Sequence, residues 1–101
     1  MKTIKTKEIN AAIAADFYWW KGNSFLPQVI QVELNPNGNI EVEFSFHSNI
    51  GENWSSFRAT LGKFFQHYTV SHDGHSLVIF DKTINIERYD GSIVTPIRGK
   101  G

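Results

Sequence analysis

A chain of 101 residues with 41% apolar and 14% aromatic content is the size of one domain, and can bury roughly 60 to 70% of its unfolded surface without metal or disulfide help. Ten basic residues balance ten acidic ones and there is no cysteine, which excludes a global pull toward nucleic acid or membrane, disulfide frameworks, thiolate catalysis and cysteine-type zinc sites. No window reaches the run of about 18 apolar residues that a membrane span needs, and Ala11 to Ala15, preceded by Asn10 and ended by Asp16, is too short for a signal-peptide core; the expectation is a single cytoplasmic domain over residues 1–101.

Residues 1–5 and 98–101 are polar and read as flexible ends. Thr6 to Lys21 reads as a helix with Ile9, Ile13, Phe17 and Trp20 on one face and Gly22 as its stop. On that wheel Asp16 falls within about 20° of Ile9, inside the apolar stripe. Two explanations fit a carboxylate there: a structural partner such as Arg58 or a tyrosine hydroxyl, which is the favoured one, or a general acid or base with a raised pKa. The run Phe17-Tyr18-Trp19-Trp20-Lys21 sends Phe17 and Trp20 inward and leaves Tyr18 and Trp19 as a candidate exposed aromatic contact.

From Pro27 the period becomes two. Ile30, Val32 and Leu34 alternate with Gln31 and Glu33, and Ile40, Val42, Phe44 and Phe46 alternate with Glu41, Glu43, Ser45 and His47. Between them, Asn35-Pro36-Asn37-Gly38-Asn39 has the composition of a three-residue hairpin loop closed by a left-handed glycine. Pairing Leu34 with Ile40 sets Val32 opposite Val42 and Ile30 opposite Phe44, and collects Glu33, Glu41 and Glu43 on the outer face.

The stretch Asn53 to Tyr68 places Trp54, Phe57, Leu61, Phe64, Phe65 and Tyr68 on one helical face, with Ser56, Ala59, Lys63 and Gln66 opposite, and predicts a second helix. Asp73-Gly74 and Asp90-Gly91 mark two further hairpin turns, and Pro96 assigns the last strand to an edge. The resulting expectation is an α+β domain in the order α-β-β-α-β-β-β-β: an antiparallel sheet of about five to six strands, built as three hairpins, with two helices on one face.

His47, His67, His72 and His75 raise a metal site, with His72 and His75 flanking the Asp73-Gly74 turn, but no fixed ligand spacing accompanies them and the turn alone explains them. No nucleophile elbow and no phosphate-binding glycine loop is present. No catalytic, cofactor or metal residue is therefore assigned, and none of these residues resembles a known family.

Charge is distributed unevenly. Residues 28–53 hold Glu33, Glu41, Glu43 and Glu52 with no lysine or arginine, which is either a solvated strand face or an acidic patch for a basic partner. The leading expectation is a small non-catalytic protein-binding module of the inhibitor, immunity or adaptor type, with Glu33, Glu41, Glu43, Tyr18 and Trp19 as partner-binding residues. The alternative is a nucleic-acid-binding domain using Lys2, Lys5, Lys7, Lys21, Arg58 and the aromatics; a third is a small enzyme whose constellation only folding would reveal.

Overall fold

Alternation along Ile40, Val42 and Phe44 turns these side chains to a common inner face, and all three are buried. The computed structural model describes residues 2–17, 26–45, 54–65, 68–72 and 76–97. Its elements, in chain order, are β1 (Lys2–Lys5), α1 (Thr6–Asp16), β2 (Val29–Leu34), β3 (Ile40–Ser45), α2 (Trp54–Leu61), β4 (Tyr68–His72), β5 (Ser76–Asp81), β6 (Ile84–Glu87) and β7 (Ile93–Val94). The domain is α+β, with a four-stranded antiparallel sheet ordered β2-β3-β5-β4 and a three-stranded sheet ordered β1-β6-β7.

The expected single sheet of five to six strands is thus two sheets. The division lies at the turn after β5, where Asp81 Oδ1 accepts the amide and the hydroxyl of Thr83, both at 2.6 Å, and ends the strand. β6 then leaves the four-stranded sheet and pairs in parallel with β1, Ile4 standing opposite Ile86. This also corrects the reading of residues 1–5 as a flexible end: residues 2–5 form a strand in which Ile4 is 1% exposed. Four residues with one apolar side chain carry too little local preference to announce a strand, and the neighbour supplies it. The order is β-α-β-β-α-β-β-β-β.

The two described hairpin turns that carry a left-handed glycine have one construction. Asn35 N donates to Asn39 O at 2.8 Å and Gly38 N to Asn35 O at 2.9 Å; Arg88 N donates to Ser92 O at 2.7 Å and Gly91 N to Arg88 O at 3.0 Å. Gly38 and Gly91 hold φ of 86° and 91°, the left-handed position that closes a three-residue loop. Asn35 Oδ1 adds bonds to the amides of Asn37 and Asn39. The expected register follows, with Leu34 opposite Ile40, Glu33 opposite Glu41 and Val32 opposite Val42. A bulge changes the far end: Val29, not Ile30, stands opposite Phe44, and Ile30 is pushed out to 51% exposure. An extra residue inverts the facing of everything beyond it.

Both helices are shorter than their periodicity implies. α1 ends at Asp16, and Phe17, at φ −114° and ψ 26°, leaves the helix with its side chain fully buried. α2 ends at Leu61, where bonds from Lys63 N to Thr60 O and from Phe64 N to Leu61 O tighten the last turn. Tyr68 consequently opens β4 rather than closing the helix. Phe57 stands at the centre of the core, edge-on to Phe44 at 5.7 Å and tilted against Phe17 at 6.4 Å. Residues of both helices and both sheets, among them Ile9, Leu61, Leu77 and Ile86, form one buried cluster.

Candidate functional site

Strand pairing assembles the carboxylate face. Glu33 and Glu41 are direct cross-strand neighbours, Glu43 lies two residues along β3, and Gln31 donates to Glu33 Oε1 at 2.7 Å. The continuation of this face across β5 is apolar: Phe80 is opposite Glu41 and Val78 opposite Glu43, both half-buried. Three carboxylates therefore border an apolar strip on one sheet surface. Sequence reasoning missed the strip, although Leu77-Val78-Ile79-Phe80 signals it: a strand apolar at successive positions presents hydrophobic groups to both faces.

Of the other partner-binding residues expected from sequence, Tyr18 and Trp19 lie outside the described residues, as do Lys21, His47, His67 and His75. Among the described residues no group of three or more His, Asp or Glu is gathered. Lys2 and Lys5 are exposed on β1, Lys7 on the first turn of α1 and Arg58 on α2. Among the described residues no helix is long and apolar enough to cross a membrane.

Asp16 links the two helices. Its Oδ2 accepts Thr60 Oγ1 at 2.6 Å and Lys63 Nζ at 2.8 Å. The expected partner type is present, supplied by Lys63 and Thr60 in place of Arg58. These two bonds, the lysine first, hold the Asp16 carboxyl below its usual value of 3.8, the opposite of the shift a general acid requires. A depressed folded-state pKa adds stability that is present above the ordinary carboxylate value and lost as pH falls through the lower, folded one. Asp16→Asn is accordingly expected to remove part of the acid-side loss of stability below about pH 4, read from unfolding midpoints at several pH values. At pH 7 its cost should stay within about 1 kcal/mol, since the carboxylate is 32% and the lysine 56% exposed and solvent screens the pair. An unchanged acid profile would detach Asp16 from this role.

A second feature lies at the edge of β2 that pairs with no strand among the described residues. Asn10 Oδ1 accepts the Val29 amide at 2.8 Å, Tyr89 donates its hydroxyl to Val29 O at 2.6 Å, and Arg88 Nε donates to Val32 O at 2.8 Å. Beside these bonds is a cavity of about 280 Å³ bordered by Ile30, Arg88, Tyr89 and Asp90. Asp90 is exposed, and the hydroxyl and amide of Ser92 lower its pKa.

No family model, curated protein or solved structure matches this chain. The functional reading therefore rests on surface chemistry alone.

Proposed function

We propose that the chain is a small non-catalytic module acting by protein contact, in the manner of an inhibitor, immunity or adaptor protein, within the cytoplasm. The observation that carries the reading is the in-register pair Glu33 and Glu41, continued by Glu43 and bordered by Val78 and Phe80. Like charges directly across a ladder cost stability in the free protein. A basic partner relieves that repulsion and is steered toward it, while the apolar strip supplies area to bury. Tyr18 and Trp19 remain proposed as an accessory contact on sequence grounds.

Changing Glu33, Glu41 and Glu43 together to Gln is expected to leave the unfolding midpoint unchanged or slightly raised. Association with the partner recovered by the tagged wild-type chain should slow by about tenfold at low salt and converge on the wild-type rate at high salt. Equal association rates across that salt range would reduce the carboxylates to a solvated strand face.

A further inference from the structure

The outer face of the four-stranded sheet changes chemistry from strand to strand. Glu33, Glu41 and Phe80 form one cross-strand row, and Gln31, Glu43 and Val78 form the next. Glu33 is exposed and Glu41, Glu43, Val78 and Phe80 are half-buried, whereas Val42 and Ile79, which alternate with them, point inward at 0% exposure. Acid thus lies on β2 and β3 and hydrocarbon on β5, and the register positions beyond, Thr69 and Ser71 of β4, are uncharged. Among the described residues no ion pair includes Glu33, Glu41 or Glu43. Arg88, whose Nε is committed to Val32 O, and Lys82, which follows the end of β5, leave these carboxylates unpaired.

This chemistry limits what can cover the face. β3 and β5 are paired along their length, so an occupant meets side chains, and a segment laid over Val78 and Phe80 has to satisfy its own backbone hydrogen bonds away from water. An α-helix does so internally. A second copy of the same face brings carboxylates against carboxylates, and the same charge turns away nucleic acid and anionic lipid. The dimensions also suit a helix. Glu41 and Glu43, like Val78 and Phe80, are two residues apart on a strand, about 6.8 Å, close to the about 6 Å between residues i and i+4 of a helix. Neighbouring strands lie about 4.8 Å apart, so one helix about 10 Å across rests on both β3 and β5. Building on the protein-contact function proposed above, we infer that the partner element is a basic amphipathic helix lying along β3 and β5. Its apolar stripe covers Val78 and Phe80, and lysine or arginine at i, i+4 along one flank meets Glu41 and Glu43.

The probe is a synthetic peptide of about 14 residues, about 21 Å long as a helix, with leucine at i, i+3, i+4 and i+7 and lysine along one flank. Two controls accompany it: the same residues shuffled so that leucine circles the helix, and the patterned peptide with glutamate in place of lysine. Titrated into the full chain, the patterned peptide should shift the amide resonances of β3 and β5 most and bind about tenfold or more tighter than the shuffled one, while the glutamate peptide should not bind. Glu41→Gln combined with Glu43→Gln should weaken binding about tenfold at low salt and little at high salt. Phe80→Thr, which keeps the strand preference of the position, should weaken it at both. Should Phe80→Thr fail to fold, the amide shifts of the wild-type chain carry the test. Absence of binding, equal affinity for the patterned and shuffled peptides, or shifts centred away from β3 and β5 overturn the helix as partner. So does a chain whose mass doubles with concentration unless Phe80 is replaced by Thr, since a second copy then holds the face. The protein-contact function falls on a different result, equal association of the wild-type and triple Gln chains with the native partner. A native partner that needs the carboxylates while no basic helix binds leaves that function standing and removes the helix alone.

Discussion

Replacing Phe57 by alanine is expected to lower the stability of the domain by about 3 to 5 kcal/mol, a large part of the roughly 5 to 15 kcal/mol that holds a domain folded. Phe57 is fully buried and bridges α2 to Phe44 of β3 and to Phe17 beyond the end of α1. Truncation leaves a hole that two other rings must partly line, and each loses an aromatic contact as well as area. Phe65→Ala, at 1% exposure, should be of the same class, whereas Phe64 is half-buried and should cost less. Lys63→Ala should stay within about 1 kcal/mol. Urea midpoints at constant slope measure all four, and equal small shifts would mean that the aromatic stripe is not the core.

The second large effect is expected at the tip of the first hairpin. Gly38→Val should destabilise by well over 1 kcal/mol, and by more than Gly91→Val. Both glycines have the same left-handed backbone, with φ of 86° and 91°. A Cβ at Gly38 would stand 3.0 Å from Ile97 O and 3.2 Å from Ile97 Cβ, whereas at Gly91 nothing lies within 4 Å. The difference between the two variants isolates the seating of Ile97 on the hairpin from the conformational cost common to both. Identical midpoints for the two would show that Ile97 does not hold the tip.

How far the sequence could be read depended on whether local and tertiary signals agreed. At Asn35 to Asn39 the turn composition, the left-handed glycine and the alternation on either side all specified one register, and the structure has it from Gln31 to Leu34. Beyond Gln31 the alternation of Ile30 misled, because one inserted residue conveys no compositional warning and exchanges Val29 for Ile30 in the core. Phe64, Phe65 and Tyr68 extend the α2 period perfectly well, but the chain tightens after Leu61 and Tyr68 pairs with Asp81 in the sheet instead. Periodicity records which residues are apolar, and a strand can use them as readily as a helix. The candidate site divides the same way. The carboxylates were legible because they lie on the hairpin with the clearest register, while Phe80, Val78 and the Arg88–Tyr89 turn depend on which strands become neighbours across long stretches of chain.

The parallel pairing of β1 with β6 has a consequence for the time course of assembly. Thr6 Oγ1 bonds to Glu87 O across a separation of 81 residues, so β1 must wait for a segment made some eighty residues later before it has a neighbour. The first hairpin can zip locally while synthesis continues, but the three-stranded sheet closes only by a long loop whose ordering entropy is spent before any contact repays it. Closure of that sheet is therefore expected to be a late, slow event of folding, with Ile4, buried in the finished molecule, exposed until β6 is in place.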